Sequence, residues 1–129
     1  DELAEADAVV AALPAPAATY RMLDASVFGA MKRGAVFVNV GRGETVDQYD
    51  LIEALRSGQV GAAGLDVVED EPLPASSPLW TMDNVIVTPH VAGDTPRYAD
   101  RALALFADNL NRWRAGSDLR NRVDLDAGY

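Results

Sequence analysis

Short apolar runs alternate along the chain with amphipathic stretches, and this alternation predicts the secondary structure. Four runs are almost wholly apolar and are bounded by turn-forming residues: residues 7–13, 35–40, 60–68 and 84–88. Because they have no polar face, they are expected to be strands buried on both faces of a sheet. Between and after them, hydrophobic positions recur with the helical period of about 3.6 residues. The pattern therefore predicts about four strands and three helices.

Capping residues mark where these helices begin and end. Asp24 precedes a helix over residues 25–33, and Asp47 precedes a second helix that ends before Gly58. The third and longest helix is capped by Asp94 or Thr95 and continues to about residue 116. Glycines suited to the position after a helix end follow all three predicted helices: Gly34, Gly58 and Gly116.

Strands and helices that alternate with short connections indicate a parallel sheet built from crossover units. The predicted class is α/β. We expect one folding unit, or most of one, followed by a polar, irregular tail over residues 117–129. The Gly-Arg-Gly turn after the second strand predicts a close approach of the backbone to a neighbour at Gly41 and Gly43.

Charge and composition narrow the function classes. The net charge of −9 argues against nucleic acid and anionic membrane surfaces as partners. The absence of cysteine excludes disulfides and thiolate sites and is typical of a reducing compartment, so we expect a cytoplasmic protein. No apolar run approaches the roughly 20 residues that a membrane-spanning helix needs.

The polar residues that could carry chemistry follow the predicted strands. In parallel sheets ligands bind at the carboxyl ends of the strands, where this chain places Arg42, Asp66 and His90, with Glu69 and Glu71 just after Asp66. Taken singly, the histidine has an explanation as a turn residue, the arginine as half of a surface ion pair, and the glutamates as solvated loop residues. Asp66 is harder to explain, because an acidic group in an apolar strand is costly unless it is paired or lies at the wet end.

Taken together, these side chains form a chemically sensible set. An arginine offers a two-pronged donor for a carboxylate, and a glutamate beside a histidine orients the ring and stabilises the imidazolium. This combination suits the reduction of a 2-keto acid, in which the carbonyl oxygen gains a proton as hydride reaches the carbon. One histidine and no cysteine argue against a zinc site, and we expect no metal.

Six motifs occur in an order and spacing that resemble the D-isomer-specific 2-hydroxyacid dehydrogenases. They are FVNVGRG at 37–43, LIEAL at 51–55, GLDV at 64–67, EPL at 71–73, SPLW at 77–80 and NVIVTPH at 84–90. The resemblance implies the second half of a doubly wound, Rossmann-like parallel sheet, truncated at its N-terminus. Residues 1–116 would form a partial dinucleotide-binding domain, and residues 117–129 would return toward a substrate domain outside this sequence.

The resemblance also implies roles for single residues in an oxidoreductase that uses NAD or NADP. Arg42 would bind the substrate carboxylate, His90 would be the acid/base, Glu71 would assist His90, and Asp66 would hold the nicotinamide carboxamide. The residues implied to contact the cofactor are Val40, Gly41, Arg42, Asp66, His90, Val91, Ala92 and Gly93.

The same resemblance predicts a small 2-keto or 2-hydroxy acid as substrate and a homodimer as the assembly. The family's Gly-x-Gly-x-x-Gly turn does not occur in these 129 residues. We therefore expect the isolated chain to bind cofactor weakly or not at all, and to expose a sheet edge at residues 7–13. Two alternatives stay open: a non-catalytic module that senses the dinucleotide or recruits partners, and an inactive fragment.

Overall fold

A computed structural model describes residues 2–126 of the chain. Its strands are β1 (Ala8–Ala11), β2 (Ala35–Asn39), β3 (Val60–Leu65) and β4 (Val85–Val87). Its α-helices are α1 (Glu2–Glu5), α2 (Ala25–Ala30), α3 (Gln48–Arg56) and α4 (Tyr98–Arg114). Single turns of 3₁₀ helix lie at Ala17–Thr19, Gly43–Thr45 and Pro78–Trp80.

The chain forms two compact units, Asp1–Val91 and Ala92–Tyr129. The first contains the sheet and the three shorter helices, and the second contains α4 and the segment after it. A division at residue 116 into a cofactor-binding part and a tail stays a prediction. No helix within residues 2–126 is both long and apolar enough to cross a membrane.

The four strands form one parallel sheet in the order β1-β2-β3-β4. This arrangement confirms the predicted α/β class and the four strands. In the described part of the chain β1 pairs with β2 alone, so the predicted exposed edge at residues 7–13 lies at an outer strand of the sheet. All four strands end on the same edge of the sheet, and the polar side chains of interest follow β2, β3 and β4.

One face of the sheet is covered by α2 and α3. Phe28 of α2 and Phe37 of β2 are both buried, with their rings edge-to-face and their centroids 5.3 Å apart. The core continues through Leu51 and Leu55 of α3 to Leu65 of β3. This packing fixes the positions of the strand ends relative to one another, and therefore also the starting points of the loops that follow them.

The opposite face of the sheet differs from the prediction that both faces are buried. One row of paired residues crosses all four strands on this face: Val10, Val38, Gly64 and Ile86. Val10 is 62% exposed and Ile86 is 71% exposed. The prediction was wrong for this face because an apolar sequence run shows only that a strand can be buried, not that a covering element is present.

Two predicted caps are confirmed. The Asp24 carboxylate accepts hydrogen bonds from the backbone N–H groups of Ser26 and Val27, and the Asp47 carboxylate accepts one from Asp50. The hydrogen bond from the Ser26 hydroxyl, followed by the one from the Val27 backbone, lowers the pKa of Asp24 from its usual value of 3.8.

Other predicted element ends were wrong. The β3 strand ends at Leu65 and not at residue 68, because its partner β2 ends at Asn39 and the backbone turns there. The α2 helix ends at Ala30, where the Gln59 side chain donates to the carbonyls of Phe28 and Met31. Asp94 and Thr95 do not cap α4, which begins after Arg97 without a side-chain cap. The short α1 helix was not predicted.

Candidate active site at the carboxyl ends of the strands

The turn after β2 is held by a side chain of the strand itself. Asn39 is 1% exposed, and its amide oxygen accepts a hydrogen bond of 3.0 Å from the Gly41 N–H. Its amide nitrogen donates to the Arg42 carbonyl at 3.1 Å, and the Thr45 hydroxyl donates to the same carbonyl at 2.6 Å. The backbone of Arg42 is therefore fixed, although its side chain is exposed.

Two glycines let this turn lie against other backbone segments. A Cβ on Gly43 would stand 1.8 Å from the Val68 carbonyl oxygen, and a Cβ on Gly41 would stand 2.6 Å from backbone atoms of Leu13. The close approach predicted for these glycines is thus to the loop after β3 on one side and to the segment after β1 on the other. Only residues without a side chain fit both positions.

Within the part of the chain that the structure describes, the Arg42 guanidinium makes one hydrogen bond, in which Nη1 donates to the Gly41 carbonyl at 2.8 Å. It forms no ion pair with any residue between 2 and 126. The explanation of Arg42 as half of a surface ion pair is therefore wrong. An exposed guanidinium without a carboxylate partner retains donors for an anionic ligand.

Asp66 is the first residue after β3 and is 7% exposed. Its Oδ1 accepts a hydrogen bond from the Thr88 hydroxyl and a second, of 2.9 Å, from the Val91 N–H. These bonds offset the cost of burying a carboxylate. Asp66 therefore connects the end of β3 to the segment that follows β4.

Glu71 and His90 form a hydrogen-bonded pair. The His90 Nδ1 lies 2.9 Å from Glu71 Oε2, and Glu71 Oε1 accepts from the Val68 N–H at 3.2 Å. Because a carboxylate oxygen can only accept, the proton between the two side chains belongs to Nδ1. The other ring nitrogen, Nε2, makes no hydrogen bond to the described residues and is therefore accessible to a ligand.

A cleft of about 570 Å³ lies beside this pair, a size usual for small-molecule sites. The ionisable side chains that line it are those of Asp66, Glu71 and His90. Its remaining lining residues are mostly apolar: Val68, Pro72, Leu73, Trp80, Val87, Thr88 and Pro89. Arg42 is not among the residues that line this cleft, and it stands at the end of the neighbouring strand β2.

Glu69 takes part in a second polar cluster, which the sequence did not predict. The Arg21 Nε donates to Glu69 Oε1 at 2.7 Å, and Arg21 Nη1 lies 3.3 Å from Asp47 Oδ2. The Gln48 amide oxygen accepts from the Glu69 N–H at 3.3 Å. The hydrogen bond and charge of Glu69 raise the pKa of Arg21. The cluster ties the loop that carries Glu71 to the start of α3.

The structure brings together Asp66, Glu71, His90 and Val91 through the hydrogen bonds described above. Val40 and Gly41 lie in the Arg42 turn, where the Val40 N–H donates to the Ala11 carbonyl at 3.0 Å. Ala92 and Gly93 begin the second unit. The catalytic and cofactor-binding roles of all these residues stay predictions.

Sequence reasoning missed two residues that organise the site, Asn39 and Thr88. The available signal was the same that drew attention to Asp66: each is a polar residue at the carboxyl end of an otherwise apolar run. A polar side chain in that position can form a hydrogen bond beyond the end of the strand. Asn39 bonds the turn after its own strand, and Thr88 bonds the Asp66 carboxylate after β3.

The residues present fit the nicotinamide end of NAD or NADP. The Asp66 carboxylate, the hydrogen-bonded Glu71–His90 pair and an apolar wall lie together in one cleft. A carboxylate can accept from the N–H groups of a carboxamide, and the apolar wall can contact an aromatic ring. Residues 2–126 contain no Gly-x-Gly-x-x-Gly turn for a pyrophosphate. The fit therefore concerns the nicotinamide end alone. In the same residues, no group of three or more His, Cys, Asp or Glu side chains has an arrangement that would hold a metal ion.

Residues 1–92 match the model of the D-isomer specific 2-hydroxyacid dehydrogenase family, NAD binding domain. Glyoxylate/hydroxypyruvate reductase B of Cronobacter sakazakii is 47% identical over 125 residues, which are 97% of this chain and 39% of that protein. The chain thus spans about two fifths of the length of this curated relative.

Two solved structures are also similar. A D-isomer specific 2-hydroxyacid dehydrogenase from Xanthobacter autotrophicus Py2, in complex with NADPH and MES, superposes with a TM-score of 0.91 at 45% identity, over 98% of this chain and 52% of that one. An NADPH-dependent glyoxylate/hydroxypyruvate reductase from Sinorhizobium meliloti, in complex with NADP and sulfate, gives a TM-score of 0.90 at 38% identity, over 98% and 41% of the two chains. The chain therefore belongs to the D-isomer specific 2-hydroxyacid dehydrogenase family, whose NAD binding domain its residues match.

Proposed function

We propose that this chain supplies the acid/base and the substrate carboxylate site of an oxidoreductase that transfers hydride between NAD(P)H and a small 2-keto or D-2-hydroxy acid. The observation that carries the proposal is the Glu71–His90 pair, 2.9 Å apart on the wall of a cleft that also contains Asp66. The names of the similar proteins favour glyoxylate and hydroxypyruvate as the first substrates to test.

In the direction of reduction, His90 donates the Nε2 proton to the substrate carbonyl oxygen. Glu71 keeps the Nδ1 proton in place throughout, so the ring passes from imidazolium to the neutral form with one defined tautomer. Glu71 also stabilises the positive charge of the imidazolium before transfer. In the oxidation direction the same nitrogen removes the hydroxyl proton.

Arg42 binds the carboxylate of the 2-keto acid with its planar pair of N–H donors, which orients the carbonyl toward His90. Within the first unit, the nicotinamide would be surrounded by Asp66, Val40, Gly41 and Val91. When it is bound, the reduced nicotinamide supplies the hydride to the carbonyl carbon. The dinucleotide is NAD or NADP.

Substitutions in the protein that carries this chain test the two roles separately. His90→Ala is expected to lower kcat by about 100-fold or more, since general acid catalysis contributes about that much, while the Kd for NADPH changes little. Arg42→Lys is expected to raise KM for glyoxylate and to lower kcat, because an ammonium cannot replace the two-pronged donor. Arg56→Gln, which removes an exposed pair with Glu53 on α3, serves as the control.

Equal losses of kcat and NADPH affinity in His90→Ala would contradict the acid/base role, and an unchanged KM in Arg42→Lys would contradict the carboxylate site. Saturable binding of NADPH without turnover of any 2-keto acid would support the alternative of a dinucleotide-sensing module. A calorimetric titration of NADH into the isolated chain shows whether these 129 residues hold a cofactor by themselves. The homodimer and the cytoplasmic location stay predictions.

A further inference from the structure

One carboxylate oxygen holds the chain on both sides of His90. Asp66 Oδ1 accepts from the Thr88 hydroxyl, two residues before the histidine, and from the Val91 N–H, one residue after it. The Thr88 N–H in turn donates to the Leu65 carbonyl at 2.9 Å, which continues the pairing of β4 with β3. The short segment between Thr88 and Val91 is thus fixed at its two ends to the end of β3.

The backbone at His90 needs such support. Its φ angle is +56°, in the left-handed region that residues other than glycine seldom adopt. Such a conformation persists when the surrounding contacts impose it. The His90 N–H also donates to the Thr88 carbonyl at 3.0 Å, so Thr88 contacts this segment through both its backbone and its side chain.

The direction of the His90 ring depends on that backbone. The ring is exposed and its Nδ1 reaches Glu71, whose other oxygen is held by the Val68 N–H. If the backbone relaxed to a common conformation, the Cα–Cβ bond would point elsewhere and the 2.9 Å contact with Glu71 would be lost. Packing around an exposed ring would not restore it.

We propose that Thr88 is a positioning residue, which acts through Asp66 to fix the His90 backbone so that Nδ1 meets Glu71 and Nε2 remains available for the substrate. This gives Asp66 a role in orienting the acid/base that is separate from any contact with a cofactor. Its consequence for turnover rests on the proposed function, whereas its consequence for the histidine ring does not.

The ring is directly observable because His90 is the one histidine in the chain. In ¹⁵N–¹H spectra that correlate the ring nitrogens with the ring protons, a single set of imidazole signals is expected. Under conditions in which the ring is neutral, the wild-type protein should show the Nδ1–H tautomer. Glu71→Ala provides the reference spectrum for a ring that has lost its partner.

Thr88→Val is the decisive variant, because it keeps the shape of the side chain and removes the hydroxyl. Thr88 is exposed, so the variant is expected to fold, and the backbone amide spectrum checks this. We expect its imidazole signals to move toward those of Glu71→Ala, while Thr88→Ser keeps the wild-type tautomer. Thr81→Val is the matched control, since that hydroxyl donates at 3.2 Å to the Pro78 carbonyl away from the histidine.

A wild-type tautomer in Thr88→Val would overturn the proposal, and Thr88→Ala repeats the test if the valine variant gives no folded spectrum. In the active protein, Thr88→Val should lower kcat by about 10- to 100-fold, the effect of a small misplacement of a catalytic group, and this fold-change should exceed that in KM for NADPH. Thr88→Ser should restore kcat. An altered tautomer in a protein that turns over no 2-keto acid would support the positioning role and contradict the proposed function.

Discussion

Replacing Gly43 by alanine tests a direct backbone contact between two segments of the site. One is the turn after β2 that contains Arg42, and the other is the loop after β3 that contains Glu71. The added Cβ would stand 1.8 Å from the Val68 carbonyl oxygen, 2.1 Å from its carbonyl carbon and 2.8 Å from the Glu69 nitrogen. All three atoms belong to the backbone. The two segments would have to separate by more than about 1 Å to reach 3.0 Å, below which real Cβ contacts essentially never occur.

The loss of stability caused by this separation depends on the hydrogen bonds and the ion pair that hold the two segments in place. The Arg42 carbonyl is fixed by Asn39 and Thr45, and the loop on the other side is fixed through Glu69 and Arg21. Because neither segment can move freely, we expect a loss of about 3 kcal/mol or more in the free energy of unfolding, at the upper end for overpacking. In a domain of this size that lowers Tm by about 10 °C or more.

Gly29→Ala is the matched control, because Gly29 lies inside α2 and an added Cβ would meet nothing within 4 Å. Alanine favours a helix over glycine by about 0.5–1 kcal/mol, so this variant should gain about 2–4 °C. Thermal unfolding followed by circular dichroism compares the two variants. Gly43→Ala should also shift the His90 imidazole signals, since Val68 holds Glu71. A Tm equal to that of the wild type would refute this account of the turn.

Two further predictions concern the other polar contacts. Arg21→Gln, which leaves Glu69 without its guanidinium partner, should lower Tm more than Arg56→Gln does, and the difference should narrow at high salt because these side chains are partly exposed. The lowered pKa of Asp24 means that its carboxylate contributes stability above its unfolded value of 3.8 and loses that contribution as the pH falls below it. Asp24→Asn keeps an acceptor without a charge, so its unfolding free energy should fall less than that of the wild type between about pH 5 and about pH 2.5. Equal losses in the two proteins over this range would contradict the role of the cap.

Local patterns were sufficient to predict the sheet and the residues at its carboxyl edge. Apolar runs give strands, and capping at Asp24 and Asp47 follows from the chemistry of the helix terminus, which involves only the next few residues. The end of a strand depends instead on its partner, which is why β3 stops at Leu65 when β2 turns away. A pattern read along one segment contains no information about where the neighbouring strand ends.

Several contacts that organise the site join residues far apart in the sequence, and these partners could not be predicted from spacing. Arg21 and Glu69 are 48 residues apart, and Asp66 and Thr88 are 22 apart. The sequence marked Asp66 as costly unless paired, and the structure supplies the pairing. It also offered Arg42 as half of an ion pair, and among residues 2–126 the guanidinium has no carboxylate partner. Such outcomes depend on which loops the fold places side by side.

The exposed row across the sheet has a practical consequence for work with the isolated chain. Val10 and Ile86 present apolar surface that favours self-association in concentrated samples, as contiguous apolar patches generally do. The hydrogen bonds that shape the candidate site lie at the strand ends, and none of them involves these two side chains. The apolar surface that favours association and the candidate site therefore lie on different parts of the sheet. Polar replacements in this row should improve solubility and leave the environment of His90 unchanged.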